Sequence, residues 1–120
     1  MVLNSSNGKV ALHYIAGEAP DTEMSAFAIR TIAARNVNVN ACERLNGMTP
    51  LLLASYYGKV HQVEALLEVG ARANIKDRHG DTAKEICCEG KGAEADNKED
   101  IFELLDPTVI INEELKILSV

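Results

Sequence analysis

The residues of this chain that could do chemistry are three histidines, three cysteines and an acidic run from Glu94 to Glu103. A zinc site would need ligands at helical or hairpin spacing, and Cys42, Cys87 and Cys88 have no histidine pair near them. His61 stands beside Gln62 on an expected helix and reads as solvated, while His79, just before Gly80, reads as an exposed contact residue rather than a catalyst. A serine or cysteine nucleophile needs a base within hydrogen-bond reach, and none is identifiable. The chain also lacks the glycine-rich loop that cradles phosphates. The sequence therefore points to no enzyme, no cofactor and no metal.

Charge narrows the partners. The net charge is −6, with 12 basic residues scattered among 18 acidic ones, whereas nucleic acid demands a clustered basic patch. The run from Glu94 to Glu103 reads in two ways: as a solvated helix start, favoured by the helix dipole near Asn97, or as a docking site for a basic partner. No cationic stretch followed by an apolar core opens the chain, and no apolar run approaches the roughly 18 residues that span a bilayer. Three cysteines, an odd number, fit a reducing compartment. The expectation is an intracellular protein, cytoplasmic or nuclear, with no membrane contact.

The elements come next. Thr49 is a good N-cap and Pro50 follows where a missing N–H costs nothing, so a short helix starts there. Gly58 breaks it, and Val60, Val63, Leu66 and Leu67 then fall on one apolar stripe of a second helix. Gly70 ends that helix, and Asn74 and Asp77 mark a turn-rich segment running to Gly80. With 47% hydrophobic but only 4% aromatic residues and no Trp, the core must be built from Ala, Leu, Val and Ile. Those residues suit stacked helices.

The stretch Gly47 to Asp77 resembles one complete ankyrin repeat, a unit of about 33 residues. From Gly80 the pattern starts again, with Thr82 and Glu85 in capping-box spacing. Upstream, Leu12 and His13 match the family's Leu-His, while Val10 and Ala11 depart from its Thr-Pro. Ile29, Ile32 and Ala33 align with Val63, Leu66 and Leu67, and Asn36 falls where Gly70 sits; asparagine tolerates the left-handed conformation that ends helices. The resemblance implies an all-α ankyrin-repeat solenoid of about three helix-turn-helix repeats with short hairpin loops, spanning residues 1–106 (repeats about 7–41, 46–78 and 79–106), with 107–120 as a C-terminal capping segment. It assigns His13 to the turn and to packing between repeats. Cys87 and Cys88 align with Ala54 and Ser55, which makes them packing residues.

Val10 to Ile29 and Thr82 to Ile101 each span 19 residues, but Thr49 to Val63 spans 14. Both outer copies therefore carry insertions, around 17–22 and 90–97, read either as drifting surface loops or as recognition loops. The tail offers a similar choice: Ile110, Ile111, Leu115 and Leu118 either cover the apolar end of the array or form an interaction motif. By resemblance the chain is a non-catalytic protein-interaction module, an adaptor or inhibitor using the concave face, and monomeric. The alternative is the ankyrin portion of a larger enzyme, cytoskeletal or membrane-associated protein. Contacts in this family usually come from hairpin tips and the outward side of the first helix, which here means Arg44, Leu45, Met48, Tyr56, Tyr57, Lys76, Arg78, His79 and Asp81. Tyr56 and Tyr57 lead that set because amphipathic aromatics dominate interface hot spots.

Overall fold

The computed structural model of the chain describes residues 5–44 and 46–106, the side chains of 5–10 and of Ala95 aside. Leu45 and the proposed cap at 107–120 lie outside the described residues. Among those described, six helices form three antiparallel pairs: α1 (Ser5–Gly17) with α2 (Glu23–Ala33), α3 (Pro50–Tyr56) with α4 (Val60–Glu68), and α5 (Ala83–Ile86) with α6 (Ala95–Leu105). The first helices of the pairs pack in one row, α1 on α3 on α5, and the second helices in another, α2 on α4 on α6. Between the rows lies a continuous core that includes Leu12, Ile29, Leu51, Leu52, Val63, Leu66 and Ile101.

Local signals set the boundaries. The Thr49 hydroxyl accepts from the Leu52 amide at 3.2 Å, with Pro50 at the first helical position. The Glu85 carboxylate accepts from the Thr82 amide at 3.1 Å and from its hydroxyl at 3.0 Å, completing the expected capping contact. Those two bonds hold the Glu85 carboxyl below its ordinary range. Gly70 and Asn36 both adopt left-handed backbone, at φ 97° and 62°, so the two aligned helices end alike. Asp106 is extended, as a residue before proline should be.

The insertions fall in the connections within the outer pairs, residues 18–22 and 87–94, as loops, and part of the added length also goes into the second helices. In each outer pair the second helix begins about one turn earlier than the alignment with α4 implies, so the first pair's second helix starts at Glu23 rather than near Ala26. In the third pair the first helix is cut to a single turn and ends at Ile86. Cys88 consequently does not sit on a helix like Ser55; it turns the chain at φ 61°, a conformation that costs a non-glycine residue roughly 1–2 kcal/mol. Cys87 stays buried against Cys88 and the Lys98 carbonyl. Burial, then its contact with Cys88, pushes its thiol up to about 12, so it remains protonated near neutral pH.

Both connections grip the middle pair at the same place, the turn between α3 and α4. From the first, Asp21 Oδ1 accepts from the His61 amide at 2.8 Å and pairs with His61 Nδ1 at 2.7 Å. Lys59, at the N-cap of α4, supplies no side-chain cap, so a carboxylate from the neighbouring pair does that work, with the helix dipole in its favour. His61 is therefore half-buried and paired, not solvated as expected. Gln62 is fully buried; its Nε2 donates to the carbonyls of Ala19 and Pro20, both at 2.9 Å, and to that of Ile15 at 3.4 Å. From the third pair, the Cys88 amide donates to the Ser55 carbonyl at 2.7 Å and the Gly90 amide to the Tyr56 carbonyl at 2.6 Å, satisfying the open end of α3. Asn97 Nδ2 adds a bond to the Gly58 carbonyl at 2.8 Å.

This stitching yields a prediction. Asp21→Ala removes the cap of α4 and should lower unfolding free energy by about 1–2 kcal/mol, the upper range for N-cap loss, without changing helix content. Urea melts of the two proteins check it, and coincident curves would show that the contact is not worth its geometry.

Candidate functional site

A cleft of about 330 Å³ runs along α3, from the turn segments that precede α3 and α5 to the C-terminal end of α3. Leu53, Tyr56, Tyr57, Met48 and Ile86 provide its apolar surface, and Asn46, Asp77, His79, Asp81 and Glu89 its polar one. It lies on the row of first helices. Two consecutive pairs build it, so its shape depends on their docking.

The turn segments hold the polar edge in place. Asp77 Oδ1 accepts from the amides of His79 at 2.8 Å and Asp81 at 3.0 Å, and the Asp77 amide donates to the Asp81 carbonyl at 2.9 Å. Asp77 thus spends this oxygen on its own turn, a frequent use of an aspartate there. Adjacent turns are joined as well: the Arg78 amide donates to the Asn46 carbonyl at 3.0 Å, and Arg78 Nη2 to the Arg44 carbonyl at 2.8 Å. One turn back, His13 Nε2 lies 2.8 Å from the Ala41 carbonyl and 3.2 Å from that of Met48. His13 therefore ties α1 to the segment entering α3, the structural role the resemblance implied.

The two tyrosines form an edge-to-face pair with centroids 4.9 Å apart at 89°. Both are half-buried. A Cβ on Gly17 would meet the Tyr57 ring at 3.4 Å, and one on Gly90 would come within 2.8 Å of both rings and of the Tyr56 carbonyl. Glycine at these two positions lets the first and third pairs close on the aromatic pair. Tyr56 and Tyr57 are part of the packing between pairs and also part of the cleft wall.

Met48, Tyr56, Tyr57, His79 and Asp81 thus come together in one cleft. Arg44, Lys76 and Arg78 are exposed on the turn segments beside it. Met48 is 8% exposed and belongs to the core, so its side chain packs from below rather than reaching outward. The residues missed by sequence reasoning are Asn46, Leu53, Asp77, Ile86 and Glu89. Leu53 and Ile86 occupy equivalent positions after Thr49 and Thr82, a correspondence the repeat alignment already contains.

Residues 46–78, which contribute α3, α4 and both turn segments flanking α3, match the family model of the ankyrin repeat. This segment is an ankyrin repeat. A search of curated proteins finds no significant match. Ankyrin repeats are in general protein-interaction modules, and the cleft falls on the turn segments and first helices of two successive pairs. Among the described residues no three His, Cys, Asp or Glu side chains are grouped to hold a metal ion, and no helix is long and apolar enough to cross a membrane.

Proposed function

We propose that this chain is a non-catalytic adaptor or inhibitor that holds a segment of another protein in the cleft along α3. The observation that carries this reading is the cleft itself: about 330 Å³, walled by Leu53, Tyr56, Tyr57 and Ile86 and edged by the turn residues His79 and Asp81. A space at the small end of the roughly 300–1,000 Å³ typical of ligand sites admits a few side chains of a partner. Half-buried tyrosines beside aliphatic groups make the kind of rigid, amphipathic surface that anchors interfaces. The exposed free thiol of Cys42 suits a reducing compartment, cytoplasmic or nuclear.

Site-specific cross-linking tests the location. A photo-reactive benzoylphenylalanine in place of His79, exposed at the cleft edge, should trap a partner in cells. The same group in place of Glu64, exposed on α4 in the other row of helices, should trap none. Equal trapping from both positions, or trapping from position 64 alone, would remove the cleft as the binding face.

A further inference from the structure

The carboxylates around the cleft are not equivalent. Asp77 Oδ1 is engaged by two amides of its own turn. Asp81 and Glu89 line the cleft together with the apolar Leu53, Tyr56, Tyr57 and Ile86. Among the described residues neither of these two carboxylates makes a hydrogen bond or an ion pair. Arg44, Lys76 and Arg78 are on the neighbouring turns, and none of them lines the cleft. The cleft thus combines an aromatic and aliphatic lining with two unspent negative charges, in a chain of net charge −6.

We propose that the partner segment seated here carries an arginine or lysine beside an aliphatic or aromatic residue, the cation paired with Asp81 and Glu89 and its stem on the tyrosine pair. This inference rests on the reading of the cleft as the binding face and adds the chemistry of what it binds. A long basic side chain has both parts the site asks for: a methylene stem that packs on apolar surface and a charged head that stays at the rim. A cation near a tyrosine face gains from the ring as well as from the carboxylates. An acidic or phosphorylated segment would set like charge against Asp81 and Glu89 and be refused. The chain's negative field also speeds encounter with a basic segment at low salt.

The probe is a random peptide library displayed on phage, selected on the purified full-length chain. Selected sequences should share Lys or Arg next to a Leu, Ile, Val, Met or aromatic residue. A synthetic peptide of that sequence, followed by fluorescence anisotropy, should bind at least about tenfold more weakly to the double variant Asp81→Asn/Glu89→Gln, and its affinity for the unaltered protein should fall as salt rises. Neither side chain supports the fold through a hydrogen bond or ion pair among the described residues, so the double variant should melt as the parent does. The control Glu64→Gln should bind normally. Peptides without a basic residue that still compete at the cleft, or binding unmoved by the double variant, overturn the charge assignment and leave the cleft reading standing. A selection that yields no cleft-binding peptide overturns both.

Discussion

Leu66→Ala should unfold a large share of the molecule's margin, costing about 2–5 kcal/mol as buried leucine truncations do. Leu66 is fully buried on α4, the helix that packs on α3 within its own pair and on α2 and α6 to either side. In a stacked array each unit is stabilised by its nearest neighbours, so a cavity in the central helix weakens both interfaces at once. Small domains have about 5–15 kcal/mol in total, and a three-unit stack has few neighbours to spare. Leu67, one residue on along the same apolar stripe, is only half-buried. Leu67→Ala should therefore cost distinctly less. Denaturant melts of the two variants provide the comparison; an unchanged midpoint for Leu66→Ala, or a larger loss for Leu67→Ala, would contradict the observed packing of α4.

Much of this architecture is written locally. Thr49-Pro50, Thr82 with Glu85, and the chain-reversing pair Gly70 and Asn36 each act through their own backbone or that of residues a few positions away. Their types and spacing therefore suffice to place the helix ends. Val63, Leu66, Ile29 and Ile101 fall on helical periodicity and are buried as that period requires. Gly80 and Thr82 mark the start of the third unit for the same reason.

What escaped sequence reasoning depends on contacts between units. Gln62 reads as a surface residue because a glutamine on a helix usually is one; only the carbonyls of Ala19 and Pro20, more than forty positions away in sequence, make its burial tolerable. His61 likewise pairs with Asp21 at a separation of 40 residues. The insertions looked like loops because glycine, proline and charged residues are abundant there. In the fold they are loops, but loops fixed by bonds to the turn between α3 and α4, which their composition does not announce. Nothing in the local sequence around Gly90 announces that two tyrosine rings from the previous unit will close to 2.8 Å of where its side chain would be. The cleft was half legible for a related reason: its turn residues and tyrosines follow from the family pattern, whereas Glu89 reaches the rim because α5 stops after one turn.

Gln62→Glu should be among the most destabilising near-isosteric changes in this chain at neutral pH. The side chain is enclosed, and its amide nitrogen is the donor to three carbonyls of the connection between α1 and α2. Exchanging that nitrogen for a carboxylate oxygen creates no cavity. It does place a negative charge among carbonyl oxygens, and an uncompensated buried charge costs about 3–5 kcal/mol. The carboxyl escapes by taking up a proton, after which it can donate one hydrogen bond where the amide donated several. Its pKa in the folded state is thereby raised above the unfolded value, since burial and acceptor oxygens both disfavour ionisation. In the linkage relation the folded variant then binds more protons than the unfolded chain, so its stability falls as pH rises. The penalty relative to the parent protein should accordingly be largest near pH 7.5 and shrink on acidification toward pH 5, each compared with the parent at the same pH so that Asp21, Glu23 and His61 cancel. Urea melts at the two pH values measure it. A penalty that does not change with pH would mean that the introduced carboxylate reaches water, and that the connection between α1 and α2 does not close over Gln62 as the hydrogen bonds indicate.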